Sequence, residues 1–313
     1  MKNILLIGTG PMAVDYTNVL QALSQAFTVI GRGEASAKIF EEKTGIFPVT
    51  GGIDNYLLTN KVKSNTSAII ATGTEALMPT LLKLVKAGVK NILIEKPAAL
   101  SIEELLENQK YLKAVEKTIF VAYNRRLYTS VNKVSRLIEE DGGLQSIHFE
   151  FTEWAHKIEP LEKAPGVKEN WFFANSTHVV DTAFFLAGKP SEWAAFSKSG
   201  DLVWHPKTNF SGAGITEKGV LFSYISNWES AGRWSIELLT KRKRIYLKPI
   251  ETVMIQNKGS LEIMNIDFDN QIDLTYKPGI YNQVKSFLTN HKNLKTLAEH
   301  FEDASNIYSK IIK

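Results

Sequence analysis

The feature that most constrains the fold is a regular alternation of short apolar runs and longer amphipathic runs over the first 122 residues. The apolar runs have strand length, whereas the stretches between them have helical spacing and end at glycines such as Gly45 and Gly88. The predicted strands and main helices are, in chain order, Ile4–Ile7, Val14–Leu23, Phe27–Ile30, Glu34–Lys43, Ser67–Ala71, Leu77–Lys86, Asn91–Ile94, a helix opening at Ser101, and Thr118–Ala122. This alternation predicts a doubly wound α/β domain with a parallel sheet.

After Tyr123 the pattern changes to short alternating runs separated by Gly, Pro, Asn and Lys, which extend from Glu192 to Met264. Such runs predict an open, mainly antiparallel sheet. Two helices, Ile280–Leu288 and Leu297–Ile312, are predicted at the end of the chain. We therefore predict two domains, 1–122 and 123–313, and the terminal helices could pack back on the first.

Composition limits the class of protein. The 313 residues are 44% hydrophobic and 22% charged, with a formal net charge of +4, as in ordinary globular proteins. The absence of cysteine excludes disulfides and thiolate metal sites, and the scattered histidines predict no metal site of their own. No apolar run reaches the roughly 18 residues of a membrane span, and no signal-peptide pattern is found. We expect a cytoplasmic protein that binds neither membrane nor nucleic acid.

A glycine-rich turn follows the first predicted strand and reads Gly8-Thr9-Gly10-Pro11-Met12-Ala13. In a dinucleotide fingerprint the first glycine allows the tight turn, and the second lets the backbone approach a pyrophosphate at a helix N-terminus. Ala13 stands where the third glycine would be, a replacement that the motif tolerates. The alternative is a plain strand-to-helix turn, but the position between strand and helix favours cofactor binding by residues 8–12.

The end of the second strand distinguishes the two nicotinamide cofactors. A protein selective for NAD usually places a carboxylate there for the ribose hydroxyls, whereas this chain has Gly31 and Arg32. An arginine can hold a 2′-phosphate through paired charged hydrogen bonds, so we predict NADP(H), with NAD(H) as the alternative. Ser36 and Lys38 could assist, and Arg32 could instead be only an exposed turn cation.

Two further turns are candidate contacts to the nicotinamide half of the cofactor. Thr72-Gly73-Thr74 follows the third predicted strand and offers backbone N–H groups and hydroxyls. Glu95-Lys96-Pro97 closes the fourth, and a lysine at the carboxyl end of a strand in this sheet lies where a hydride donor and a hydroxyl could meet. Together with the first turn, this tripeptide predicts a nicotinamide-dependent oxidoreductase.

These residues resemble the glucose–fructose oxidoreductase/inositol dehydrogenase/MocA (Gfo/Idh/MocA) family. The resemblance rests on motifs in the family's order over about the first 190 residues: the Gly8–Ala13 turn, Ala71-Thr72, Glu95-Lys96-Pro97, Tyr123-Asn124-Arg125-Arg126, and His178 with Asp181. It implies a Rossmann domain followed by an α/β domain whose open sheet often mediates oligomerisation. It also implies that Lys96 lies near nicotinamide and substrate, where its charge orients the reacting hydroxyl, and that Glu95 orients Lys96 or contacts the cofactor.

The resemblance implies that His178 shuttles a proton, but the carboxylate that accompanies this histidine in the family is absent from the matching position. The family commonly has an aspartate four residues before this histidine, where this chain has Ala174 followed by Asn175. Asn175, His178 and Asp181 are spaced to share one helix face. Two interpretations remain open: His178 acts as the sole general base with help from Lys96, or the protein is a non-catalytic sensor that binds cofactor and metabolite.

Several other residues are candidate ligand contacts. Asn124 matches a family position for cofactor, and Arg125 or Arg126 could contact substrate, one of them serving instead as a salt-bridge partner. Trp171 could stack on a sugar ring, although large aromatics are more often core. The sequence thus predicts an NADP(H)-dependent oxidoreductase acting on a sugar, cyclic polyol or nucleotide-linked sugar, assembled as a homodimer or homotetramer. Lys96 and His178 are its predicted catalytic residues, and Lys96, Arg125, Arg126, Trp171, Asn175 and His178 its predicted substrate contacts.

Overall fold

The computed structural model describes residues 3–313. They divide into two compact units: the first combines 3–123 with Ile280–Ala304, and the second combines Asn124–Gly279 with Ser305–Lys313. A Rossmann-type sheet in the first unit and a mostly antiparallel sheet in the second confirm the predicted fold class. Among the residues that the structure describes, no helix has both the length and the apolar character needed to cross a membrane.

The first unit is built on a six-stranded sheet. With elements numbered along the whole chain, its strands are β1 (Asn3–Ile7), β2 (Phe27–Ile30), β3 (Thr66–Ile70), β4 (Asn91–Ile94), β5 (Ile119–Val121) and β14 (Lys295–Thr296). Their order is β14-β5-β4-β3-β1-β2, with β1 to β5 parallel and β14 antiparallel to β5. The central strands β3 and β4 are mostly apolar and are buried at all positions but Asn91, as expected for parallel strands covered on both faces.

Helices surround this sheet. They are α1 (Pro11–Ala22), α2 (Glu34–Thr44), α3 (Gly52–Thr59), α4 (Thr74–Lys86), α5 (Ile102–Glu107), α6 (Gln109–Leu112), α11 (Ile280–Leu288) and α12 (Leu297–Asp303). Sequence signals located several ends: Gly45 is a left-handed C-cap of α2, and the Ser101 side chain accepts from the Glu104 N–H to cap α5. Helix α3 was not predicted from the sequence, because it is short and begins at two glycines.

The chain reverses its direction of winding between β1 and β3. From β1 it moves to β2 on one side and then to β3 on the other, which makes a topological switch point. A parallel bridge between Ile30 and Val49 extends the sheet beyond β2. In open α/β sheets the crevice at the carboxyl ends of the strands at such a point is where ligands bind.

The second unit contains an eight-stranded sheet. Its strands are β6 (Leu144–Glu150), β7 (Pro190–Lys198), β8 (Asn209–Thr216), β9 (Leu221–Asn227), β10 (Ser235–Thr240), β11 (Lys243–Leu247), β12 (Met254–Asn257) and β13 (Ile263–Asn265). The order is β13-β12-β11-β10-β6-β9-β8-β7, antiparallel apart from the parallel pair β6–β9. Buried and more exposed residues alternate along β9, as expected for a sheet with one covered face.

The second unit also contains helices. They are α7 (Thr129–Glu140), α8 (Ala155–Ile158), α9 (Thr177–Ala187), α10 (Gln271–Thr275) and α13 (Ser309–Ile312), together with a 3₁₀ turn, Asn124–Leu127, and a π-helical turn, Phe172–Ser176. Helix α9 packs on β6, where Phe184 meets Phe149 edge to face. The predicted terminal helix Leu297–Ile312 is interrupted by a π-helical turn over Ala304–Tyr308.

We predict that Gly8 is essential to the first turn. An alanine there would place its Cβ 2.3 Å from the Ala71 carbonyl oxygen, at a φ of +122° that side chains rarely adopt. Gly8→Ala should therefore lower the free energy of unfolding by about 1–3 kcal/mol. Denaturation followed by far-ultraviolet circular dichroism measures this loss.

Gly10→Ala is the matched control for that substitution. A Cβ at Gly10 would meet no heavy atom within 4 Å, and its φ of −79° suits any residue. Its expected cost is below about 1 kcal/mol, that of an ordinary change at a helix N-cap. Equal losses in the two variants would show that the close approach to Ala71 does not limit stability.

Candidate active site

The glycine cleft is a cavity of about 840 Å³ in the first unit, at the carboxyl ends of β1, β2 and β3. Most of its wall comes from the turns after these strands and from the facing sides of α3 and α4. It is lined by Ile7, Gly8, Thr9, Gly10, Pro11, Met12, Ile30, Arg32, Gly33, Ala35, Ser36, Gly51, Gly52, Ile53, Asp54, Ala71, Thr72, Gly73, Glu75, Ala76, Pro79, Thr80 and Lys83.

Four helices begin at this cleft, and each has glycine at its N-cap. Gly10, Gly33, Gly51 and Gly73 precede α1, α2, α3 and α4, and none of these helices has a side chain capping its first N–H groups. A helix N-terminus concentrates positive partial charge, and a glycine there allows close approach to the backbone. At Gly10 and Gly33 a Cβ would meet nothing within 4 Å. The cleft therefore fits phosphate groups.

Arg32 follows β2 and is exposed at the cleft wall. Its carbonyl accepts the Gly51 N–H at 3.2 Å, and its side-chain Cγ would lie 3.9 Å from a Cβ at Gly52. On the other side, Thr9 Oγ1 donates to Ser36 Oγ at 3.2 Å, and Ser36 Oγ donates to the Gly33 carbonyl at 3.0 Å. A guanidinium and two hydroxyls thus lie around the start of α2.

Two carboxylates near the cleft are engaged by other side chains, and a third lies against Gly73. Asp54 forms an exposed ion pair with Lys83 at 2.7 Å, and Glu34 accepts the Thr50 hydroxyl at 3.1 Å. Glu75 lies over Gly73, where a Cβ would meet its carboxylate oxygen at 2.5 Å. No carboxylate occupies the end of β2, where Gly31 and Arg32 follow Ile30.

Eight of the predicted cofactor residues line the glycine cleft, and four do not. The eight are Gly8, Thr9, Gly10, Pro11, Met12, Arg32, Thr72 and Gly73. Gly31, Thr74, Glu95 and Asn124 lie outside its lining, as does Lys38. Gly31 donates its N–H to Val49, and the Asn124 side chain donates to the Pro278 carbonyl at 2.9 Å within the second unit.

The opposite wall of the cleft was not predicted from the sequence. It is formed by Gly51, Gly52, Ile53, Asp54, Glu75, Ala76, Pro79, Thr80 and Lys83. The adjacent glycines Gly51 and Gly52 are the local sequence signal of a tight turn before α3, and both have positive φ in the structure. The others reach the cleft because α3 and α4 pack together, a contact that residue spacing does not reveal.

The Glu95-Lys96-Pro97 turn at the end of β4 is held by buried side chains of the first unit. The Tyr16 hydroxyl donates to Glu95 Oε1 at 2.6 Å, and the His300 Nε2–H donates to the Pro97 carbonyl at 2.9 Å. Burial, reinforced by the Glu95 charge, raises the pKa of Tyr16 well above its usual value, so the phenol stays protonated as a donor. The Glu95 side chain is therefore buried and held by Tyr16, whereas the neighbouring Lys96 is partly exposed.

In the second unit, the Arg125–Trp234 cluster consists of Arg125, Glu153, Asn175, Ser176, His178, Arg233 and Trp234. Its centre is the carboxylate of Glu153, which is 1% exposed. Asn175 Nδ2 donates to it at 3.0 Å, Ser176 Oγ at 2.7 Å, and Arg233 Nη1 lies 3.4 Å away. Asn175 and Ser176 belong to the π-helical turn before α9, a local irregularity frequent at functional sites.

His178 and both arginines surround the Trp234 indole. The His178 ring centroid is 6.1 Å from that of Trp234, and His178 is 4% exposed. The guanidinium carbons of Arg125 and Arg233 lie 4.5 and 4.6 Å from the indole centroid, which is cation–π distance. The structure therefore gathers three predicted residues, Arg125, Asn175 and His178, and adds Glu153, Arg233 and Trp234, which sequence analysis did not select.

Arg126 and Trp171 have other surroundings. Arg126 forms a bidentate pair with buried Asp181 at 2.7 and 2.8 Å, so it is the salt-bridged member of the arginine pair and fixes the 3₁₀ turn to α9. Trp171 meets Trp204 edge to face, and Trp204 contacts His205. Burial lowers the pKa of His205 to about 4, so its imidazole is neutral at pH 7.

Comparison with known proteins identifies the first unit. Residues 2–123 match the family model described as an oxidoreductase family with an NAD-binding Rossmann fold, the GFO_IDH_MocA family. No curated protein matches the sequence significantly.

Solved structures match over nearly the whole chain. An oxidoreductase from Thermotoga maritima is 17% identical with a TM-score of 0.74, covering 99% of this chain and 95% of that one. Levoglucosan dehydrogenase in complex with NADH is 17% identical with a TM-score of 0.76 and coverages of 99% and 95%. The UDP-N-acetylglucosamine 3-dehydrogenase of Acidithiobacillus ferrooxidans is 13% identical with a TM-score of 0.71 and coverages of 99% and 96%. At these identities the likeness establishes the fold.

Proposed function

Since residues 2–123 match the model of the Gfo/Idh/MocA oxidoreductase family, we propose that the protein is an NADP(H)-dependent oxidoreductase of a sugar, cyclic polyol or nucleotide-linked sugar. The first unit binds the cofactor, and the second binds the substrate. The observation that supports this most is the glycine cleft, where four glycine-capped helix N-termini surround one cavity. Neighbours in fold are dehydrogenases of levoglucosan and of UDP-N-acetylglucosamine.

The residues of the glycine cleft fit a dinucleotide. The backbone from Gly8 to Met12 would hold the pyrophosphate at the start of α1, since no side chain there competes for the first N–H groups. Thr72 and Gly73 would face the nicotinamide half. When bound, the nicotinamide supplies the hydride acceptor for oxidation and the hydride donor for reduction.

The preference for NADP(H) is supported by the charge around the start of α2. Arg32 offers a planar set of donors, and Ser36 offers a hydroxyl, as a 2′-phosphate requires. A carboxylate that would bind the ribose hydroxyls of NAD(H) is missing from the end of β2. The structure of levoglucosan dehydrogenase was solved in complex with NADH. Our proposal therefore means that this protein shares the fold of that enzyme but prefers the other nicotinamide cofactor.

Arg32→Ala should weaken NADPH binding about tenfold or more, because a charged hydrogen bond contributes roughly 1.5–3 kcal/mol. NADH affinity should change by less than about threefold, because that cofactor lacks the 2′-phosphate. Calorimetric titration of both cofactors measures the two affinities. Lys43→Ala, at the exposed far end of α2, is the control for loss of one positive charge. Equal losses for NADPH and NADH would contradict the assignment.

The proposed chemistry assigns one task to each catalytic residue. The Lys96 ammonium stabilises negative charge that develops on the reacting oxygen. His178 removes the hydroxyl proton when a carbinol is oxidised and returns it when the carbonyl is reduced. With Ala174 in place of the family aspartate, the carboxylate that neighbours this helix is Glu153, which holds Asn175 and Ser176 in position.

Lys96→Ala should lower kcat at least 100-fold, because loss of one group that stabilises an oxyanion costs about 10²–10³ in rate. NADPH affinity should stay within about threefold of the wild type. Single-turnover oxidation of NADPH by a panel of keto sugars provides the rate, and exposed Lys117→Ala is the control. A variant that keeps most of the rate would disprove the role of Lys96. Wild-type protein that binds NADPH but never oxidises it would favour the sensor interpretation.

We also propose that the protein is a cytoplasmic homodimer or homotetramer formed through the open sheet. Support comes from the cysteine-free sequence and from apolar side chains on the uncovered face, among them Phe196 at 70% and Ile225 at 53% exposure. Multi-angle light scattering should give a mass of two or four chains, and Phe196→Glu should lower it. A monomeric wild type would refute the assembly.

A further inference from the structure

The Arg125–Trp234 cluster contains two guanidinium groups but one buried carboxylate. Glu153 accepts from Asn175 and Ser176 and pairs with Arg233 at 3.4 Å. The charge of Arg233 is therefore balanced within the cluster. Arg125 remains as the second cation.

The Arg125 guanidinium makes no hydrogen bond or ion pair with any residue from 3 to 313, although it is partly buried. It lies 4.5 Å from the Trp234 centroid and 5.8 Å from that of Tyr128. Glu153 and exposed Glu251 attract it from beyond ion-pair distance, and Arg233 repels it. Burial lowers the pKa of Arg125, but a guanidinium stays charged in proteins. A partly desolvated cation of this kind normally has a counter-ion.

A second polar group of the cluster is also unsatisfied. The indole of Trp234 is 6% exposed, and its buried Nε1–H has no acceptor among the described residues. Buried donors of this type usually find a partner in protein or ligand. A guanidinium without an ion-pair partner that packs on an indole whose N–H has no acceptor favours a ligand that brings acceptor oxygens.

We propose that Arg125 binds the carboxylate of the substrate, so that the enzyme acts on an acidic sugar of the uronate type. This deepens the proposed function and rests on it for the assignment of the second unit to substrate. A carboxylate carries one negative charge and matches one uncompensated guanidinium in a bidentate pair. A phosphate or diphosphate would bring a second negative charge toward Glu153 and Glu251.

The placement of the cluster suits such a ligand. Arg233 and Trp154 are 41% and 47% exposed, so the cluster opens to solvent on that side. His178 contacts the same indole ring as Arg125. A sugar anchored by its carboxylate at Arg125 therefore presents ring hydroxyls toward the imidazole that moves the proton.

The test compares each uronate with its parent hexose in the full-length protein with NADP⁺ bound. Glucuronate, galacturonate and mannuronate are titrated against glucose, galactose and mannose by calorimetry, with glucose 6-phosphate as a further anion. At least one uronate should bind about 10- to 100-fold more tightly than its hexose, as expected for a charged hydrogen-bonded pair. Arg125→Gln should reduce that ratio to below about threefold, and Arg125→Lys should retain part of it.

Arg136→Gln removes one positive charge from an exposed position of α7 and is the matched control, with no change expected in the ratio. Uronates that bind no better than their hexoses would overturn the proposal, and this comparison needs no variant. Stronger binding of glucose 6-phosphate than of every uronate would also overturn it. Oxidation of a neutral hexose without uronate preference leaves the proposed function intact and rejects the carboxylate site. Arg125-dependent uronate binding without any turnover supports the site and rejects the enzyme.

Discussion

The architecture of the first unit depends on the contact between the first turn and the end of β3. Gly8 lies so close to Ala71 that a Cβ would be 2.3 Å from its carbonyl oxygen, and the Ala71 N–H donates to the Ile7 carbonyl at 2.8 Å. This contact lies at the switch point of the sheet, where the winding reverses. It brings the starts of α1 and α4 to the same cavity. The glycine cleft is therefore a consequence of strand order combined with one residue that has no side chain.

In the second unit the corresponding constraint is a buried charge. Glu153 is almost fully enclosed, and the groups that satisfy it come from the π-helical turn before α9 and from Arg233. Leaving such a carboxylate unpaired would cost several kcal/mol, on the order of 3–5 when one partner of a buried pair is removed. The need to satisfy Glu153 therefore fixes the segment that leads into His178. Because Arg233 pairs with Glu153, its positive charge is compensated within the unit, whereas the charge of Arg125 is available to a ligand.

Features of this protein that depend on neighbouring residues were predictable from its sequence, whereas those that depend on distant contacts were not. The glycine turn, Arg32 and Thr72 were found because strand-to-helix turns have local signals, and the structure gathers them in one cleft. Lys83 and Pro79 were missed because they reach the cleft through the packing of α4 on α3. Glu153, Arg233 and Trp234 were missed for the same reason, since they come from segments about 80 residues apart. Which of Arg125 and Arg126 is salt-bridged could not be decided from sequence, because Asp181 is 55 residues away from Arg126.

The sequence by itself determined the fold class, most strand positions and the glycine turn, because hydrophobic periodicity and backbone freedom at glycine are properties of neighbouring residues. Tertiary structure alone decided which charges are compensated. It paired Arg126 with Asp181 and Arg233 with Glu153, and it left Arg125 against Trp234 without a counter-ion among residues 3–313. The reason is physical: desolvation and ion pairing depend on distances between side chains that are remote in sequence, and only the folded chain sets those distances.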